Sequence, residues 1–238
     1  MNKIIHRAED RGKAEHGWLH TNFSFSFAEY YDPEKMRFGL LRVLNDDIIE
    51  PGKGFGTHPH NNMEIITIIL EGELEHKDSM GNGSVIRKDE VQVMSAGTGI
   101  LHSEFNPSAS EKVNLLQLWI FPKDKGIKPR YDQKKFDASE KENKFLTVAS
   151  GVDKNGSLYI HQDASLSLAK LKKSRSLKYQ NKRQGNGIYL FVIGGHITID
   201  DEELFRRDAI GISGAEEINF TANDDSEILL IEVPMDLS

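Results

Sequence analysis

The chain has 238 residues, 38% hydrophobic and 28% charged, with a formal net charge of -7 and no cysteine. That length holds one large β domain or two small ones with a real core. The lack of cysteine excludes disulfides, thiol catalysis and thiolate metal sites, and the negative balance argues against direct nucleic-acid binding, which needs a basic face.

No apolar run reaches the length of a membrane span; the longest, Ile65–Leu70 and Ile188–Ile193, are strand-sized. Met1–Trp18 is polar and charged, with no apolar region for a secretory signal, so a cytoplasmic location and no membrane partner are expected. Gly54-Phe55-Gly56-Thr57 leads into His58-Pro59-His60. Met63–Leu70 is nearly continuous apolar and β-branched, the pattern of a strand buried on both faces. Glu73-Leu74-Glu75 alternates, and Ser79-Met80-Gly81-Asn82-Gly83 reads as a tight turn. Val91–Met94 and Leu115–Phe121 are further strands, and Gly97-Thr98-Gly99-Ile100-Leu101 precedes His102-Ser103-Glu104. Short strands between Gly, Asn and Asp turns predict an all-β sandwich or barrel. Pro122–Lys144 turns charged and is expected as a linker, and Ala164–Lys173 is expected as one short helix. The basic run Lys170–Arg183 reads as a solvated face.

The second half repeats the first faintly. Ile69–Leu74 resembles Val192–Ile197 with Gly72 opposite Gly195, and Arg87–Val91 resembles Arg206–Ile210 with Asp89 opposite Asp208. These two alignments place Asn181 and Arg183 where His58 and His60 stand, and Thr221 and Asn223 where His102 and Glu104 stand. Only the first half is then expected to bind a metal. The expected domains are residues 1–125, a linker at 126–144, and residues 145–238.

The two pairs His58/His60 and His102/Glu104 share one spacing. Side chains two apart in an extended strand point to the same face, so each pair can aim both members at one point. Three imidazoles and a carboxylate suit one divalent ion such as iron, manganese, nickel, copper or zinc. A lone H-x-H is ordinarily an accident of surface or core; here both pairs are flanked by glycines and apolar strands. The other six histidines, His6, His16, His20, His76, His161 and His196, have no such arrangement and are read as bland.

These residues resemble the cupin motifs. The first, G-x5-H-x-H-x3-4-E-x6-G, matches Gly52, His58, His60, Glu64 and Gly72, with one extra residue in the last gap. The second, G-x5-P-x-G-x2-H-x3-N, matches Gly97 to Asn106, with Gly97 in place of the proline and Asp89 near the leading glycine. Gly17-Trp18, Phe25–Ala28, Tyr30–Pro33, Leu41–Asp47, Met94–Asn106 and Pro129–Tyr131 extend the likeness, dense to residue 135 and thinner afterwards, where His161–Asp163 and Glu227–Leu230 also fit. The chain thus is similar to the pirin-like bicupins, in particular the bacterial branch with quercetin 2,3-dioxygenase activity.

The resemblance implies two cupin jelly-roll barrels in tandem. It implies one divalent cation held by His58, His60, His102 and Glu104, with iron expected and Mn, Ni, Cu, Zn or Co as alternatives. It also implies ring cleavage of a flavonol or related aromatic enol by O2, with release of carbon monoxide and with Glu104 as the catalytic proton acceptor. Glu64, at inward parity four residues past His60, is expected behind the ligands, orienting one of them or the substrate. Phe55, Met94, Ile100 and Phe105 are the expected apolar pocket walls. Phe23 stands where relatives commonly carry His. The alternative implied function is a non-enzymatic, metal-responsive regulatory protein, with the charge in Lys123–Lys144 as a surface for a protein partner.

Overall fold

The structure is a computed structural model that describes residues 1–152 and 156–236. With 58% of residues in strands and 3% in helices, the fold is all-β. Four sheets build two barrels. In the first, a seven-stranded sheet runs Arg130–Lys135, Glu90–Ser95, Glu64–Glu71, Val113–Ile120, Leu41–Ile49, Leu19–Phe23, Gly12–Glu15. It faces a four-stranded sheet ordered Gly54–His60, Ile100–Phe105, Glu73–Asp78, Gly83–Arg87. The second barrel repeats this order with Asn2–His6, Ala209–Ser213, Asn186–Gly194, Ser226–Pro234, Ser165–Leu171, Leu146–Ser150 and Leu158–Tyr159. Its smaller sheet runs Ser176–Gln180, Glu217–Ala222, His196–Ile199, Glu202–Phe205. The faint duplication is therefore a duplication of folds. Among the described residues, no helix is long and apolar enough to cross a membrane.

The run Glu64–Glu71 is apolar on both faces for a physical reason. Ile66 and Ile68 join a core cluster shared by the two barrels, with Leu116, Leu118, Leu229 and Ile231. Ile65 and Ile69 turn the other way, into the first barrel. The two large sheets thus pack on each other, and a sheet covered on both faces cannot show alternation. Each fully buried Ile or Leu contributes roughly 1.5–3 kcal/mol by area.

Two expected elements differ. Ala164–Lys173 contains no helix: Ser165–Leu171 is a central strand paired with Ser226–Pro234. Leu166 and Leu168 face the other barrel, whereas Ala169 and Leu171 face inward, a period of two whose odd spacing at Leu171 mimics a helical stripe. The expected linker 126–144 is largely structured. Arg130–Lys135 closes the edge of the first barrel against Glu90–Ser95, and buried Lys141 pairs with Asp89 at 2.9 Å. Most of the other charged side chains in residues 123–144, among them Lys123, Lys125 and Lys135, stay exposed. The boundary is also crossed from the other side. The opening strand Asn2–His6 takes the equivalent edge position in the second barrel, against Ala209–Ser213.

Candidate metal centre

The two ligand-bearing strands Gly54–His60 and Ile100–Phe105 are antiparallel neighbours, with His58 directly opposite His102. Gly54 permits this: a Cβ there would collide with the carbonyl oxygen of Glu104. The rings of His58, His60 and His102 form a near-equilateral triangle, with centroids 4.8, 4.4 and 4.8 Å apart. Their ligand atoms all lie within 4.8 Å of one another, and His102, Glu104 and His76 form a second cluster of the same span. Among the described residues, both clusters lie in the first barrel.

Nδ1 of His58 donates to the Gly56 carbonyl at 2.8 Å, which leaves its Nε2 lone pair facing Nε2 of His102 at 3.0 Å. Burial and the neighbouring rings push His60 down to about 4 and His102 down to about 2. Both imidazoles are then neutral at pH 7, the form that ligates. Glu104 is buried, and that burial raises its pKa above the usual carboxylate range. A set of neutral imidazoles with one carboxylate fits a divalent cation.

Residues behind the ligands fix their orientation. Gln117 donates from Nε2 to both oxygens of Glu104, at 3.3 and 3.0 Å, and accepts from the Trp119 indole at 3.3 Å. On the other side, Nδ1 of His102 faces Nδ1 of His76 at 3.4 Å, and Nε2 of His76 lies 3.3 Å from Asp78. Asp78 is itself held by Asn82 and the Met80 backbone. His76 is fully buried and stacks on Tyr131 at 4.6 Å. It is not a bland histidine. Gln117 was legible only as a polar residue in an otherwise apolar strand, and His76 only by its inward parity with Leu74.

His58, His60 and Glu104 open onto a cavity of about 420 Å³. Its walls include Trp18, Phe23, Phe27, Phe55 and Trp119. Trp119 meets the His60 ring edge-on at 4.9 Å, and Phe23 stacks on Tyr30. Of the expected walls, Phe55 lines the cavity. Met94 and Ile100 are packed instead with Ile65 and Ala96 in a core cluster, and Phe105 points outward, 38% exposed, because alternation turns His102 and Glu104 inward. Thr21, Asn45 and Asp47 also reach the cavity. Burial lifts Asp47 to about 7.

Glu64 does not stand behind the ligands. It accepts from Ser95 Oγ at 2.8 Å and from the His161 backbone at 3.1 Å, at the barrel–barrel contact, where burial lifts it to about 7. The break after His60, with Asn62 at φ 44°, resets the strand, so parity counted through it is lost. The positions matching the ligands in the second barrel also differ from expectation. Leu74 pairs with Ile86 as Ile197 does with Leu204, which puts Phe220 at the place of Glu104, Ile218 at that of His102 and Tyr179 at that of His58. Asn181, bonded to the Glu216 carbonyl, then takes the place of His60. Apolar and aromatic side chains fill that interior.

The sequence pattern of Pirin matches residues 5–120, and that of the quercetinase C-terminal cupin domain matches residues 147–233. A quercetin 2,3-dioxygenase of Escherichia coli K12 is 45% identical over 230 residues, covering 97% of this chain and 98% of the relative. This chain belongs to the pirin family. The crystal structure of YhhW from E. coli superposes on this pirin with a TM-score of 0.94 at 44% identity, covering 99% of each chain. A second structure, of the bacterial pirin YhhW in complex with nickel(II), gives 0.93 at 43% identity, covering 99% of this pirin and 100% of that chain.

Proposed function

We propose that this pirin is a metal-dependent dioxygenase that opens the heterocyclic ring of quercetin-like flavonols with O2 and releases carbon monoxide. The observation that carries the reading is the triangle of imidazoles at the mouth of an aromatic-walled cavity, in a chain whose E. coli relative bears that enzyme name. His58, His60, His102 and Glu104 would hold the ion, with iron as the proposed metal.

When bound, the divalent ion supplies Lewis acidity and a template, making a hydroxyl placed on it more acidic. Glu104 accepts the substrate hydroxyl proton at a carboxylate oxygen; burial raises its pKa and so makes it the stronger base. Gln117 holds that carboxylate in one orientation through two hydrogen bonds. Trp119, Phe27 and Phe55 hold a flat ring and exclude water from the reacting face.

The test is to reconstitute chelated protein with single metals and follow flavonol absorbance and carbon monoxide under air. Turnover should appear with at least one of Fe, Mn, Co, Ni, Cu or Zn, and His58→Ala should lower it by at least 100-fold. No turnover with any of the six overturns the reading.

A further inference from the structure

The aromatic walls of the cavity over the metal centre fall into two groups. Leu19, Thr21 and Phe23 alternate inward on one strand and all line the cavity, which therefore follows that strand. Leu19 and Phe23 lie four residues apart, about 13 Å at ~3.3 Å per residue. At the Leu19 end, Trp18 and Phe55 meet edge-on with ring centroids 5.2 Å apart. At the other end, Phe27 packs against Phe23 at 5.6 Å and against Trp119 at 5.2 Å. The strand Gly54–His60 repeats this order: Phe55 first, then His58, then His60, whose ring meets Trp119. The imidazoles of His58 and His60 thus lie between the two aromatic groups.

Trp18, Phe27, Phe55 and Trp119 line the cavity and are each only partly buried. Core packing alone would enclose them, as it encloses Phe25 and Phe38. Wet aromatic surface in a concave site favours a ligand that covers it with another ring. Phe27 is also held in place by a constrained backbone. It opens a tight turn closed by two backbone hydrogen bonds with Tyr30, both 3.0 Å, and Ala28 inside that turn sits at φ 50°. A non-glycine residue at positive φ is uncommon, and such strain gathers at ligand clamps. One ring cannot serve both ends of so long a cavity. Two ring systems joined through the carbon that carries the metal-bound oxygen can.

We propose that the cavity is two-ended: Trp18 with Phe55 clasps one ring system and Phe27 with Trp119 the other, on either side of the oxygen given to the metal. This inference rests on the flavonol reading above and narrows it. The favoured substrate is an aromatic enol with a ring system on each side of its chelating oxygen, and Trp18 and Phe27 determine that specificity. A compound with the same chelating head and one ring system fills a single end. It leaves the other aromatic pair wet and binds less tightly.

Zinc-loaded protein, with oxygen excluded, is titrated in a calorimeter with 2-phenyl-3-hydroxychromone, the parent flavonol, and with 3-hydroxychromone. The second keeps the chelating oxygens and lacks the phenyl ring. Native protein should bind the first at least tenfold more tightly. Of Trp18→Leu and Phe27→Leu, the one at the phenyl end should cut that preference below threefold. The other should weaken both ligands alike, by at least threefold, and keep the preference. Phe55→Leu and Phe23→Leu repeat the two ends should either variant fail to accumulate. Equal binding of the two ligands by native protein, or a uniform loss or no loss in both variants, overturns the two-ended cavity. Turnover under air with equal binding defeats the two ends alone. A preference that follows the variants as expected, without turnover in any metal form, defeats the proposed dioxygenase and leaves the two ends standing.

Discussion

His76 is held on three sides, by His102, Asp78 and the Tyr131 ring, and each contact acts on the metal centre through one imidazole. A ligating histidine whose second nitrogen is anchored keeps its tautomer and its aim; losing such an anchor costs 10- to 100-fold in metal affinity. His76→Ala is therefore expected to weaken metal binding by about that factor, measured by competition with a chromogenic chelator. His76→Gln, which can still meet His102, should recover part of the loss. Unchanged affinity in both variants would show that His102 is oriented by its strand alone. The equivalent of this anchor in the second barrel is Ile199, consistent with an interior filled by Tyr179, Ile218 and Phe220 rather than by ligands.

At the scale of elements, the exchanged edge strands tie the barrels together, and one tie is sensitive to pH. His6 ends the opening strand, buried, with Nδ1 2.8 Å from the Tyr189 hydroxyl. Burial, then the Lys35 cation, push its pKa from 6.5 down to about 4. The fold thus holds His6 neutral, whereas the unfolded chain takes up a proton below pH 6.5. Its contribution is complete above that value and is lost as pH falls towards 4. Stability should drop by about 2 kcal/mol more between pH 7 and pH 5 in native protein than in His6→Gln, read from urea midpoints. An identical drop in both would sink the assignment.

The same scale explains what could be read beforehand. The ligand pairs were legible because His58/His60 and His102/Glu104 each sit within one unbroken strand, where a period of two is reliable. Glu64 was misplaced because the count ran through a turn. Arg130–Lys135 looked like a linker because edge strands tolerate charge along their open side, and no local pattern says which sheet it will join. His76 carries no motif; only cross-strand register brings it to the site.

Across the whole molecule, Arg207 of the second barrel reaches Asp46 of the first between the packed barrels. Its Nε lies 2.6 Å from Asp46, Nη2 meets Asn114 at 3.0 Å, and Arg11 approaches the same carboxylate at 3.6 Å. Removing one partner of a buried pair leaves the other charge uncompensated, so Arg207→Met should cost roughly 3 kcal/mol in urea unfolding. A change below about 0.5 kcal/mol would mean that Arg11 alone satisfies Asp46.

The strand exchange also orders events on the ribosome. Asn2 has its pairing partner at Ser213, so the strand Asn2–His6 waits until residue 213 has been made before it can dock. At about 5–20 residues per second that delay is roughly 10–40 s. Through that interval the edge of Ala209–Ser213 has yet to emerge and Asn2–His6 lacks that partner, a window in which a chaperone or a neighbouring nascent copy can claim it.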